Sequence, residues 1–270
     1  MIILALLIGG FTITKIINPS LTNYLLNNKL LRKNYLGDSV LTGMGLILFA
    51  TLLIMSFIGS ILFKQMPSSA FLFGCAVITL TGLLDDLWGD NLNKGLKGHF
   101  KALLNGQLTT GAIKAFVGLM TGILISQTTS SVPIQRIVDT CLIALSINSI
   151  NLFDLRPGRA VKYFLLSIVI IFSITGINNS TIWLFGLLGS LFYYFPFDLQ
   201  GKAMLGDTGS NLLGFILGYY TALTPSDSFK FFYLIYLILL HWYSERKSIS
   251  NLISEVKILY YLDSLGRPKI

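Results

Sequence analysis

The chain has 270 residues, of which 53% are hydrophobic and 12% are charged, and its mean hydropathy is +0.72. A soluble domain of this size carries about twice that fraction of charged residues, so the composition excludes an ordinary soluble protein. The formal net charge of +8 suits anionic membrane lipids or an anionic substrate, and we expect no nucleic acid partner.

Stretches without charged residues define the predicted helices in chain order. They are 1–14, 39–63, 65–84, 115–135, 163–197 and 208–226. A helix that crosses a bilayer needs about 20 mostly apolar residues, so 163–197 is long enough for two helices around the polar turn 176–180. Adding 137–153 and 229–243 gives nine predicted helices. The predicted fold is therefore an all-α, polytopic integral membrane protein.

The distribution of Lys and Arg predicts the orientation of these helices. With an external amino terminus, most of the 20 basic residues lie on one face of the membrane. The exceptions are Lys64, Lys114, Arg136 and Lys230. Because basic residues concentrate in cytoplasmic loops, we predict a multi-pass cell-membrane protein with an external amino terminus and a cytoplasmic carboxyl terminus.

The chain also divides into two predicted regions, a transmembrane domain over 1–243 and a polar cytoplasmic tail over 244–270. Within the tail, Leu252, Val256 and Leu259 recur at helical spacing, and Tyr260 joins the same face. This pattern predicts an amphipathic helix that rests on the membrane surface.

Three carboxylates lie at the carboxyl-terminal ends of predicted helices. Asp85 and Asp86 end the third helix, and Asp154 ends the fifth in the motif N-L-F-D-L-R-P-G-R-A. The helix macrodipole disfavours negative charge there by about 0.3–1 kcal/mol per residue. Each carboxylate therefore destabilises its helix unless a cation is near. Lys or Arg partners could supply that cation. A divalent metal with oxygen ligands, such as Mg²⁺, suits three such residues better.

Asp207 has the opposite position, because in G-D-T-G-S-N-L-L-G it opens the eighth predicted helix. An acidic residue is favourable at a helix amino terminus, and Gly206 and Gly209 permit close approach of the backbone. The free N–H groups at such a terminus can also bind phosphate. Helix capping and phosphate binding both remain open for this motif.

The order of these motifs resembles the polyprenyl-phosphate N-acetylhexosamine-1-phosphate transferases, which include the phospho-MurNAc-pentapeptide translocase. The shared order is D-D after an early apolar helix, N-L-x-D after a later one, and then G-D-T-G-S-x-x-x-G. The loop Asn34–Gly45 is similar to the first cytoplasmic loop of that family, and the basic loop Lys94–Lys101 is similar to the one that follows the aspartate pair. The resemblance extends over about residues 30 to 220.

The resemblance implies a reaction and a set of residues. A sugar 1-phosphate from a UDP-sugar, by this resemblance a UDP-N-acetylhexosamine, would pass to polyprenyl phosphate with release of UMP, in cell-wall or surface-glycan synthesis. The cofactor would be Mg²⁺, with Mn²⁺ as an alternative. Asp85, Asp86 and Asp154 would be the catalytic and metal-binding residues. Substrate would be bound by Asp207, Gly209, Ser210, Asn151, Lys97, Lys101, Arg156 and Arg159. The active site would face the cytoplasm, and a homodimer is compatible with this interpretation.

The chain departs from the family pattern in two places. Pro157 replaces the second aspartate of the motif N-L-x-D-G-x-D-G, and the histidine-rich motif is absent, since His99 and His241 are the only histidines. Two alternatives therefore stay open: a catalytically inactive relative that binds polyprenyl phosphate or scaffolds cell-wall enzymes, and a transporter. Against transport, Asp139 is the only acidic residue within a predicted helix, and it lies near the outer end, whereas carriers place ionisable groups near the middle of the membrane.

Overall fold

The computed structural model describes residues 1–64, 66–89, 98, 102, 106–107 and 109–268. Within these residues the chain forms nine helices of at least 16 residues, followed by two short helices. The long helices are α1 (Ile2–Asn27), α2 (Gly45–Leu62), α3 (Ser69–Trp88), α4 (Thr110–Thr129), α5 (Pro133–Phe153), α6 (Arg159–Thr175), α7 (Leu184–Leu199), α8 (Gly206–Ala222) and α9 (Asp227–Ser244). The short ones are α10 (Ile249–Glu255) and α11 (Lys257–Ser264).

Helices α1 to α5 are long and apolar enough to cross a membrane, as judged by length and composition. Many of their large apolar side chains face outward: Phe57 and Leu62 of α2 and Phe116 of α4 are each more than 60% exposed, which suits contact with lipid. The prediction of a helical membrane protein is confirmed at this level. Helices α6 to α9 have 16–18 residues, and nine membrane crossings remain a prediction.

Helix α8 lies at the centre of the bundle, and every residue of Gly206–Ala222 except Asp207 is buried. Gly214 and Gly218 lie directly against α5, where a side chain would overlap the backbone near Ile147 and Ile143. Such small residues let membrane helices approach closely and gain packing energy. The motif Gly214-x-x-x-Gly218 therefore forms a close helix contact.

The helices are accompanied by a short antiparallel hairpin, which the sequence did not predict. Strand β1 (Leu31–Lys33) pairs with β2 (Ser39–Leu41), and the end of β2 bridges to Ala203 in the segment before α8. The N–H of Met204 donates to the carbonyl of Leu41 at 2.8 Å. The two loops meet on one face of the bundle, so their backbone groups pair with each other. This pairing fixes the loop that precedes α8.

The carboxyl-terminal tail also differs from the sequence prediction. A single amphipathic helix through Leu252 and Tyr260 is interrupted at Val256, which ends α10 and precedes α11 in an extended conformation. None of the residues of α11, Lys257–Ser264, is buried. The division of the chain at residue 243 stays a prediction, although α9 does end nearby, at Ser244.

The orientation of the helices gives a first testable prediction. A reporter inserted between Ser130 and Ser131, in the turn between α4 and α5, should be external, whereas one fused after Ile270 should be cytoplasmic. The asymmetry of basic residues is the physical reason. Protease or thiol-labelling access to each reporter in intact cells measures the outcome. Finding both reporters on the same side would contradict the predicted orientation and the shared cytoplasmic face of the aspartates.

Candidate active site

The aspartate pair reaches the amino terminus of α8 because α3 packs closely against that helix. Gly82 lies against the backbone of Asp207 and Thr208, where a larger side chain would overlap. Asp85 and Asp86 follow Gly82 by about one turn, so their carboxylates extend towards the start of α8. Two motifs that are far apart in sequence thereby form one site.

Asp86 caps the amino terminus of α8. Its carboxylate accepts hydrogen bonds from the N–H of Asp207 at 3.0 Å and from the N–H and hydroxyl of Thr208 at 2.9 and 2.6 Å. Its side chain is buried, and Gly206 has a φ of 68° in a space that no side chain could share with this carboxylate. Asp86 therefore satisfies N–H groups that would otherwise be free at the positive end of α8.

The carboxyl-terminal end of α3 is compensated as well. The guanidinium of Arg32, on strand β1, donates to the backbone carbonyls of Asp85 at 2.8 Å and Asp86 at 3.3 Å. A cation is thus placed where the macrodipole of α3 is negative. The alternative in which Lys or Arg supplies the cation at this helix end is therefore supported in part by Arg32. The surroundings of Asp85 differ from those of Asp86.

Asp85 belongs to a second cluster that sequence analysis missed. The ammonium group of Lys114, near the start of α4, lies 3.1 Å from Asp85 Oδ2 and 2.6 Å from Asp207 Oδ1. Each of the three side chains is 13–17% exposed, so the cluster is accessible to a ligand. Lys114 is one of the four exceptions to the predicted orientation, and the charge-free stretch that follows it begins at residue 115. The available signal was that Lys114 directly precedes this stretch.

Asp154 lies in the loop that joins α5 to α6, at the end of α5. It lines a cleft together with Asp198, Arg156 and Tyr35. Burial raises the pKa of the Asp154 carboxyl well above its ordinary value, and the negative charges of Asp198, Asp207 and Asp86 raise it further. A carboxylate in such surroundings is stabilised by an added cation.

Asp198 is a second residue whose place the sequence did not indicate. It lies near the end of α7, is buried, and accepts a hydrogen bond from the N–H of Gly158 at 3.1 Å. It therefore holds the α5–α6 loop, residues 154–158, and also faces the cleft that contains Asp154.

The other predicted substrate residues divide into three groups. Arg156 is exposed, with its guanidinium 4.5 Å from the ring centre of Tyr35 at the rim of the cleft. Ser210 is buried, with its hydroxyl 3.4 Å from Asn151 Oδ1, and Gly209 packs against Gly45. Lys97 and Lys101 lie outside the described residues.

Arg159 makes its contacts within the protein. Its guanidinium binds both oxygens of Asp263 at 2.8 and 2.9 Å, and it also donates to the hydroxyl of Ser250. The side chain is buried. Because its donors are engaged within the protein, a contact of Arg159 with substrate stays a prediction.

The three-aspartate metal site stays a prediction, and the described part of the chain does not preform it. Among the described residues, no three His, Cys, Asp or Glu side chains come together as a metal-binding group. Both oxygens of Asp86 are occupied by donors from α8, and Asp85 is paired with Lys114. Mg²⁺, however, is commonly held by one or two carboxylates, with waters and substrate phosphates completing its ligands. Asp154 fits that mode of binding, and a preformed cage of three aspartates does not.

Comparison with protein-family models decides the family. Residues 68–224, more than half of the chain, match the model described as glycosyl transferase family 4. The chain is a member of glycosyl transferase family 4. The comparison with curated proteins found no match.

Membership of glycosyl transferase family 4 supports transfer of a phospho-sugar to polyprenyl phosphate, with a nucleotide sugar as the other substrate. The matched region extends from the start of α3 to the end of α8 and includes Asp85, Lys114, Asp154 and Asp207. The β1–β2 hairpin and the carboxyl-terminal tail lie outside it.

Proposed function

We propose that the protein transfers a sugar 1-phosphate from a UDP-N-acetylhexosamine to polyprenyl phosphate at the cytoplasmic face of the cell membrane, in cell-wall or surface-glycan synthesis. An oxygen of polyprenyl phosphate attacks the sugar-bearing phosphorus. A P–O bond forms as the P–O bond to UMP breaks, and the electron pair leaves on UMP. The observation that carries the proposal is the bridge from Lys114 to Asp85 and Asp207, within the region that matches the family.

Each residue of the cluster has a role in this proposal. Two phosphorylated substrates repel each other, so the site must neutralise charge while it holds them in line. The Lys114 ammonium is shared by two carboxylates and can turn towards a phosphate oxygen. Asp85, the more accessible aspartate of the pair, orients the polyprenyl phosphate and accepts its proton when that phosphate binds protonated. Asp207 holds Lys114 in place.

Asp154 is the residue that we assign to Mg²⁺, with Mn²⁺ as an alternative. The metal would neutralise charge on the phosphates as the bond to UMP breaks. Arg156 and Tyr35, at the rim of the same cleft, are placed to contact the nucleotide: a guanidinium can bind phosphate and an aromatic ring can stack on a base. Lys97, Lys101, Asn151 and Ser210 remain proposed substrate residues.

The role of Asp154 gives the experiment that tests this proposal. Purified protein is incubated with polyprenyl phosphate, Mg²⁺ and several UDP-sugars, and UMP is assayed. Asp154→Asn should lower kcat by at least about 10²-fold, because one charge-stabilising group at the reacting phosphates is lost. The same substitution should abolish the rise in melting temperature that Mg²⁺ causes in the wild-type protein.

Two control variants sharpen this experiment. Asp38→Asn neutralises an exposed carboxylate on the β1–β2 hairpin and should leave both measurements unchanged. Pro157→Asp, which adds back the aspartate of the family motif, should retain activity if Asp154 alone is sufficient. Wild-type turnover in Asp154→Asn would show that the metal is bound elsewhere.

The absence of the histidine-rich motif and of the second aspartate favours one alternative, a relative that binds polyprenyl phosphate without transferring sugar. The same assay separates the two functions. Binding of polyprenyl phosphate without UMP release from any UDP-sugar would support the alternative. Release of UMP that requires both substrates would support the transferase.

A further inference from the structure

The carboxyl-terminal tail contacts the loop that carries Asp154. We call residues 262–267 the carboxyl-terminal clamp. Its principal contact is a hydrogen bond from Arg267 Nε to the backbone carbonyl of Pro157 at 2.7 Å. Pro157 belongs to the α5–α6 loop, three residues after Asp154. Arg267 thus attaches the tail directly to the candidate active-site loop.

Asp263 stabilises this contact by binding both Arg267 and Arg159. Its two oxygens accept hydrogen bonds from Arg267 at 2.7 and 3.0 Å and from Arg159, at the start of α6, at 2.8 and 2.9 Å. Burial raises the pKa of Asp263, but the hydrogen bonds from Arg159 and Arg267 outweigh that effect and lower it below its ordinary value. Paired, two-pronged bonds of this kind fix the orientation of the groups they join.

Lys162 adds a third attachment, from the first turn of α6. Its ammonium group donates to the backbone carbonyls of Leu262, Asp263 and Leu265 at 3.0, 2.7 and 2.6 Å. These carbonyls lie at the carboxyl-terminal end of α11, where free acceptors and the negative end of the macrodipole favour a cation. Since none of the residues Lys257–Ser264 is buried, polar contacts of this kind hold α11 to the protein.

In the α5–α6 loop, both polar groups of one peptide unit are hydrogen-bonded to other parts of the protein. Arg267 binds the carbonyl of Pro157, and Asp198 accepts the N–H of Gly158. With both polar groups of the Pro157–Gly158 peptide hydrogen-bonded, the loop has little freedom to rotate. The position of Asp154, in the same loop, is therefore restricted as well. A displacement of about 1 Å at a reacting centre can cost roughly 10²-fold in rate.

We propose that Asp263 and Arg267 are positioning residues for phospho-sugar transfer: the carboxyl-terminal clamp holds the α5–α6 loop so that Asp154 faces the substrate phosphates. This inference rests on the proposed function and extends it to a segment outside the region that matches the family. Neither residue touches substrate, and both act through the loop.

Two measurements on Asp263→Asn and Arg267→Gln test the inference. Hydrogen exchange of peptides covering residues 154–162 should become about tenfold faster or more, while peptides from α8 keep their protection. In the UMP assay, kcat should fall by about 10- to 100-fold, with KM for both substrates within about twofold of wild type. Arg267→Lys should give an exchange rate and a kcat between those of wild type and Arg267→Gln, because one ammonium group cannot replace the forked guanidinium.

The control is Glu255→Gln, which neutralises an exposed carboxylate of the same tail outside the clamp and should change neither measurement. Unchanged exchange of residues 154–162 in the clamp variants overturns the inference. Faster exchange with an unchanged kcat overturns the positioning role. A wild-type protein that releases no UMP overturns the proposed function and this role in it, and exchange still decides whether the clamp holds the loop.

Discussion

Replacing Lys114 by methionine is expected to lower kcat for UMP release by about 10³-fold. The ammonium group is the cation that joins Asp85 and Asp207, and the reaction brings two phosphorylated substrates to the same place. Loss of one preorganised charged donor from such a site costs about 10²–10³-fold in rate. The substitution also leaves two neighbouring carboxylates without their counter-charge, which adds repulsion against the incoming phosphates.

The same substitution should destabilise the protein, because removing one member of a partly buried ion pair leaves uncompensated charge. Activity must therefore be compared with the fraction of folded protein. Lys114→Arg keeps the charge and should fold like wild type, but its wider guanidinium should still reduce kcat. The double variant Lys114→Met with Asp85→Asn removes opposite charges together, which should restore much of the stability and none of the activity.

Lys33→Ala is the matched control, because this lysine is exposed on β1 and makes no contact that the mechanism uses. It should release UMP at the wild-type rate. If Lys114→Met retains wild-type kcat while folded, the cluster of Lys114, Asp85 and Asp207 holds the helices together and takes no part in transfer. The proposed function would then need another cation.

Neutralising the two adjacent aspartates should lower stability to very different extents. Asp86→Asn is expected to lower the free energy of unfolding by about 1.5–3 kcal/mol, because its carboxylate accepts three hydrogen bonds at the start of α8 and hydrogen bonds to buried charged groups are worth about this much. An asparagine side chain has one acceptor oxygen, and its NH₂ group would face N–H donors. Asp85→Asn should cost less than about 1 kcal/mol, since Lys114 keeps its closer partner, Asp207.

Thermal unfolding in detergent with EDTA measures both effects without bound metal. Asp85→Asn should lose activity with little change in melting temperature, whereas Asp86→Asn should melt several degrees lower. Thr208→Val provides a cross-check, because it removes one donor to Asp86, and its effect should be smaller in the Asp86→Asn background than in wild type. A melting temperature at or above wild type for Asp86→Asn would show that the cap contributes nothing.

These expectations differ from the sequence argument, in which both Asp85 and Asp86 destabilise the end of α3. Both aspartates end α3, where the macrodipole makes a carboxylate unfavourable. That argument considers one helix, however, and Asp86 also faces the amino terminus of α8, whose field has the opposite sign. Arg32 further compensates the end of α3. Whether the charge of Asp86 stabilises the protein therefore depends on the neighbouring helix α8, which the local sequence does not reveal.

The sequence by itself determined the class of the protein and the order of its motifs. Apolar stretches of about 20 residues with few charges are typical of helices that cross a membrane, and the observed helices overlap those stretches, although α1 extends 13 residues beyond the first one. The motifs around Asp85, Asp154 and Asp207 were found because each is contiguous and lies at a helix end. The close packing at Gly214 and Gly218 was also predictable, since small residues recur at one helical face.

Only the tertiary structure decided which side chains meet. Lys114 joins Asp85 and Asp207, Arg159 turns away to Asp263, and Asp198 holds the α5–α6 loop. Each of these pairs joins segments separated by tens of residues, so it depends on how helices pack and rotate against one another. Hydropathy and helix-end signals act within one segment, and hydrogen bonds and ion pairs form across segments. For that reason the sequence located the site, and the packing of α3, α4 and α8 assigned the partners within it.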